Sequence, residues 1–183
     1  MTVAGHEFTN DKAFDFTSIL TKLKTKNVQA IFFGGYAPQA APMARQMKQL
    51  GISAKLLGGD TICTAEMGKL GGDAVADNVL CSQGGAILDK ASGGAAFKAK
   101  FKARYKQEPD VYAAAYYDAV MMYAQAMQKA NSVDAQKVQA IISAGSYQGV
   151  AGTYAFDAKG DMKQSPVTIF TFKGGQPSPL TSY

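Results

Sequence analysis

The stretch QAIFFGGYAPQAAPMARQMKQLG, Gln29 to Gly51, holds two grammars in succession. An apolar run of the β type, 28–33, reaches the pair Gly34–Gly35 and then Tyr36, after which Met43, Met47 and Leu50 mark one face of a helix. Strand, glycine turn and helix in that order are the repeating unit of a parallel α/β sheet. The unit recurs on both sides. Upstream, Phe16, Ile19, Leu20 and Leu23 follow helical spacing, so 17–26 reads as a helix with Asp15 at its N-cap. Downstream come a strand at 54–57, a short helix near 64–70 and a strand at 78–82.

Each of these three strands ends at or just before a glycine pair: Gly34–Gly35, Gly58–Gly59 and Gly84–Gly85. Open parallel sheets place ligands beyond the carboxyl ends of their strands, and glycine there lets backbone approach a bound molecule closely. One pair would only turn the chain; three at equivalent positions predict a ligand-facing rim. Tyr36 follows Gly35 at the first pair, and Asp60 follows the second. A carboxylate at a water-poor rim needs a positive partner, which a ligand ammonium supplies through charge-assisted hydrogen bonds. A phenol beside it offers an apolar wall with a polar tip. The competing reading makes Asp60 the N-cap of the next helix and Tyr36 an ordinary packing residue.

Beyond Gly85 the pattern becomes helical. Phe97, Phe101 and Tyr105 mark one helix, Tyr116, Val120, Tyr123 and Met127 a longer one, and Val138, Ile141 and Ile142 a third. Pro109 ends the first and Asp110 caps the second. Two β-type runs, 152–157 and 167–172, close the chain around a turn-rich connection. Three helices with aromatic and methionine faces then have one short strand to pack upon. An apolar surface of that kind is an association surface, and it predicts that the chain is part of a longer protein.

Composition excludes several classes of function. The chain has 183 residues, 19 Lys and Arg against 14 Asp and Glu, and 47% apolar residues. Its lysines, such as Lys98, Lys100, Lys102 and Lys106, are spread along helix faces, so a solvated surface is expected and no nucleic-acid partner. No apolar run approaches bilayer length, and the first ten residues lack the basic and apolar regions of a signal peptide. Cys63 and Cys81 leave two readings open, a disulfide or two buried thiols. With His6 the only histidine, no metal set and no cofactor are expected. No nucleophile elbow, P-loop, zinc-protease or dinucleotide fingerprint occurs. The acidic pairs Asp73 with Asp77 and Asp157 with Asp161 fall in turns, where such residues are routine. A hydrolase or transferase would have to use Cys81 or Ser82 without a nearby base, so the expectation is a binding protein, not an enzyme.

Four stretches carry a family resemblance: 30–51, LLGGDTICT at 56–64, QEPDVYAAAYYDAV at 107–120, and TYAFDAKGDMKQSPVTIFTF at 153–172. They closely resemble the periplasmic solute-binding proteins for branched-chain amino acids, the receptors of bacterial ABC importers. The resemblance covers nearly the whole chain and implies a type I periplasmic-binding-protein fold, two α/β lobes closing on an amino acid. It implies that 1–83 and 162–183 belong to the second lobe, incomplete at its start, and that 84–161 is the helical remainder of the first. It further implies that Tyr36 lines the cleft, that Asp60 takes the ligand's α-ammonium, and that Tyr112, ahead of the long helix, lines the pocket. Leucine-type receptors often carry Glu where this chain has the shorter Asp60. The groups that hold the α-carboxylate belong to first-lobe strands that this chain lacks, so weak binding is expected. The implied partners are a small amino acid and, for the intact periplasmic protein, an ABC permease. A homodimer, with or without exchanged segments, is the expected outcome for the chain alone if its helices stay uncovered.

Overall fold

The computed structural model describes residues 2–76, 78–85 and 87–183. They form two compact units, Met1–Gln83 with Ile169–Thr181, and Gly84–Thr168 with Ser182–Tyr183.

The first unit is built on a sheet in which β1 (Ala30–Phe33), β2 (Lys55–Gly58), β3 (Val79–Gly84), β6 (Val167–Lys173) and β7 (Gln176–Ser182) follow one another in space. The pairs β1 with β2 and β2 with β3 are parallel, and the register aligns Phe33 with Gly58 and Gly58 with Cys81. The crossovers run through α2 (Ala37–Gln49) and α3 (Ala65–Gly71), and α1 (Thr17–Thr25) precedes β1. Alternation along the strands sends Phe33, Leu56, Val79 and Cys81 into a core with Phe16, Leu20, Met43, Met47, Ile62, Met67 and Val75. Phe16 meets Phe33 edge to face at 6.4 Å. On the other sheet face Phe32 is 71% exposed.

Expected boundaries moved for local reasons. Residue 16, not Asp15, is the N-cap of α1, and the Asp15 carboxylate instead accepts from the Thr17 amide at 2.9 Å. The strand anticipated from Val28 starts at Ala30, because Asn27 takes a left-handed conformation at φ 50°. The strand β7 escaped the pattern because it contains Pro177 and Pro179. It lies at the end of the sheet order, where a missing ladder donor is tolerated, and Gly174–Gly175, both at positive φ, turn the chain into it.

The second unit holds α4 (Gly94–Tyr105), α5 (Ala113–Ala130), α6 (Ala135–Ala144) and the antiparallel pair β4 (Ser146–Gln148) with β5 (Thr153–Ala155). The expectation of a single short strand is thus corrected: β4 completes a two-stranded hairpin. Tyr112, not Asp110, is the N-cap of α5, and the Asp110 carboxylate instead accepts from the Tyr112 and Ala113 amides at 3.0 and 2.8 Å. The buried polar centre is Asp118, fully sealed from solvent. It accepts from the Val150 and Ala151 amides at 2.7 and 2.9 Å and from the Tyr154 hydroxyl at 3.0 Å, tying α5 to the β4–β5 turn. Burial, and next the hydrogen bond to Asp118, push the Tyr154 phenol far above its ordinary range.

Candidate functional site

The rim of the first unit begins where β1 and β2 end side by side. Phe33 and Gly58 are register partners, so Gly34–Gly35 and Gly59–Asp60 leave the sheet at the same level. Tyr36 caps α2 from an extended conformation and is 64% exposed. Asp60 opens a 3-10 turn, Asp60–Ile62, and is exposed. A hydrogen bond joins the two loops: the Thr61 hydroxyl donates to the Gly35 carbonyl at 2.6 Å. Tyr36 follows Gly35 and Asp60 precedes Thr61, so the two candidate residues flank the ends of that bond.

The Asp60 turn is anchored on its other side as well. The Cys63 amide donates to the Asp60 carbonyl at 2.9 Å, Ile62 is fully buried, and Cys63 is disulfide-bonded to Cys81 of β3. The choice left open by sequence between bonded and free cysteines is thereby made. It also removes Cys81 as a nucleophile, and the reading of Asp60 as cap of the next helix falls too, since the Thr64 hydroxyl caps α3 at the Met67 amide.

The glycine pairs do not share one explanation. A side chain at Gly35 would collide with the Phe33 ring, and one at Gly58 with Ile62, so packing alone requires both residues. At Gly59 the space is open. The third pair is a turn: Gly85 sits at φ 110°, its amide donates to the Pro166 carbonyl at 2.8 Å, and its carbonyl accepts from the Thr168 hydroxyl at 2.7 Å. The rim therefore spans two strand ends, not three.

Tyr112 lies in the second unit, half-buried ahead of α5, with its ring edge-on to Tyr116 at 6.4 Å. His6 is exposed. Asp73 is paired with Lys48 at 2.6 Å, and the hydrogen bond from that lysine holds its carboxyl below the usual range; Asp77 lies outside the described residues. Asp157 accepts from the Lys159 and Asp161 amides within a turn. Among the described residues no group of three His, Cys, Asp or Glu could hold a metal, and no helix is long and apolar enough to cross a membrane. Thr61 is the residue that sequence reasoning passed over. A hydroxyl next to an acid after a glycine pair was its one signal.

Comparison with known proteins decides the family. Residues 1–176 match the family described as periplasmic binding protein. The chain belongs to that family. A leucine-, isoleucine-, valine-, threonine- and alanine-binding protein of Pseudomonas aeruginosa is 31% identical over 168 residues, covering 92% of this chain and 44% of the relative. A Leu/Ile/Val-binding protein homolog of Brucella abortus is 33% identical, over 88% of this chain and 43% of its own length. Among solved structures, a leucine binding protein from Thermotoga maritima superposes with a TM-score of 0.86 at 28% identity, over 96% of this chain and 50% of that one. The fold is the α/β type I periplasmic-binding-protein fold, and the chain spans about half the length of the relatives it matches. These relatives of the periplasmic binding protein family bind solutes and are not enzymes.

Proposed function

We propose that this chain is the ligand-reading part of an ABC-importer receptor for a branched-chain or similar hydrophobic amino acid. Asp60 pairs with the α-ammonium, Tyr36 flanks the side chain, and the Gly35 backbone allows the ligand's close approach. Tyr112 is included on the family resemblance alone. The observation that carries the proposal is the Thr61–Gly35 hydrogen bond, which holds the two exposed residues at neighbouring strand ends. The names of the relatives, which bind leucine, isoleucine and valine, support the ligand class. The intact protein then works in the periplasm beside its permease, and a disulfide between Cys63 and Cys81 suits that oxidising compartment.

Titration of the chain with leucine, isoleucine, valine and phenylalanine, followed by nuclear magnetic resonance, tests this. Shifts should centre on residues 34–36 and 59–61 and weaken in Asp60→Asn; unchanged affinity in that variant removes Asp60 from the site.

A second reading concerns the chain by itself. On α5, Tyr116, Val120, Tyr123 and Met127 are 70, 65, 51 and 37% exposed, one stripe at helical spacing. Phe97 and Phe101 of α4 are half-buried in a ring ladder with Tyr117 and Tyr105. The α5 stripe supports pairing with a second copy, with or without exchanged segments. Light scattering that finds a monomer at every concentration removes this reading.

A further inference from the structure

The Gly59–Cys63 turn is fixed from three directions, which is more than a surface loop needs. Its entry is in register with β3 through Gly58 and Cys81. Its middle is bonded to the neighbouring loop through the Thr61 hydroxyl, 2.6 Å from the Gly35 carbonyl. Its exit is joined covalently to β3, again at Cys81, while Ile62 is sealed beneath it. The residue held inside these anchors, Asp60, is nevertheless exposed. Rigid backbone under an exposed carboxylate is the arrangement that lowers the ordering cost of binding a charged group.

Resting on the reading above, we infer that Thr61 and the Cys63–Cys81 disulfide are positioning residues of the ammonium site. Thr61 acts by locking the Asp60 turn to the Tyr36 loop, and the disulfide acts by fixing the far end of the same turn. Neither needs to touch the ligand. Losing either leaves Asp60 chemically intact but free to sample orientations in which the ammonium is not met, so its effect should vanish once the carboxylate is gone.

The test is a cycle on the 183-residue chain, read by resonance titration with leucine and with 4-methylpentanoate, which keeps the side chain and carboxylate but has no ammonium. Thr61→Val should weaken leucine binding about 5- to 10-fold, the worth of one neutral hydrogen bond. Thr61→Ser should restore it, 4-methylpentanoate should be indifferent, and Thr61→Val should add nothing in the Asp60→Asn background. The Cys63→Ala/Cys81→Ala variant should behave as Thr61→Val does; where it does not fold, the Thr61 variants carry the test. Wild-type leucine affinity in Thr61→Val, or an equal loss in the Asp60→Asn background or for 4-methylpentanoate, overturns the inference and leaves the role of Asp60 standing. Leucine affinity unaltered by Asp60→Asn, or no leucine-dependent shift at all, overturns the proposed site and the inference with it.

Discussion

Two carboxylates of this chain occupy opposite circumstances. Asp118 in the second unit is sealed and saturated, with two backbone amides and a phenol donating to it. Asp60 in the first unit is exposed, on a turn anchored by the Thr61 hydroxyl and the Cys63 amide. The first arrangement turns a charge into a structural fastener, because three donors offset its desolvation. The second keeps the charge presentable. The contrast is between an acid satisfied inside the fold and, on the function proposed above, one held at the surface for a ligand.

The sharpest way to break this contrast is to truncate both. Asp118→Ala leaves the Val150 and Ala151 amides and the Tyr154 hydroxyl without their acceptor, and should cost about 3–5 kcal/mol of stability. Urea unfolding followed by circular dichroism checks it. Asp60→Ala, at an exposed position, should stay within about 0.5 kcal/mol in the same experiment. If the two losses are similar, the division into fastener and reader is wrong.

Next in size is the covalent anchor. Removing the Cys63–Cys81 disulfide, with a sequence separation of 18, should lower stability by about 3 kcal/mol on loop-closure grounds. Thermal melts of Cys63→Ala/Cys81→Ala should show this loss in the first unit. A variant as stable as the parent would mean that the buried core under Ile62 fixes the turn unaided.

A smaller effect is expected in binding. Asp60→Asn keeps the shape and removes the charge, and should reduce leucine affinity about 10-fold or somewhat more, the difference between a charge-assisted and a neutral hydrogen bond.

How much of this could be read from sequence differs between the two acids. The parallel unit around Gln29–Gly51 was legible because strand and helix have distinct periods and the glycines punctuate them. Asp60 was visible by position, as the residue after a strand-ending glycine pair. Asp118 was not, because a lone acid on a helix gives no sign of whether its partners are water or a distant turn; Val150 lies 32 residues away. The same holds for Thr61, whose hydroxyl reaches the Gly35 carbonyl 26 residues away. Short strands such as Ser146–Gln148 have too few residues for alternation to register. The glycine rule overreached at Gly84–Gly85 because a positive φ and a ligand-facing edge leave the same mark in a sequence.

The smallest expected effect concerns the phenol that serves Asp118. Burial, reinforced by the hydrogen bond to that carboxylate, raises the Tyr154 pKa above its ordinary value of 10.0. The folded state therefore keeps its proton at a pH where the unfolded chain has lost it. This contribution is complete below pH 10.0 and declines as the pH climbs from there toward the folded value. Melting temperature should fall more steeply above that point in the parent than in Tyr154→Phe, which has no proton to lose. At neutral pH the phenylalanine variant should be the less stable of the two by about 1 kcal/mol, since Asp118 then keeps only its amide donors. The two melting curves should approach one another as the solution becomes alkaline; curves that stay parallel would show that this hydroxyl ionises as it does in the unfolded chain, and that Asp118 is held by its backbone donors alone.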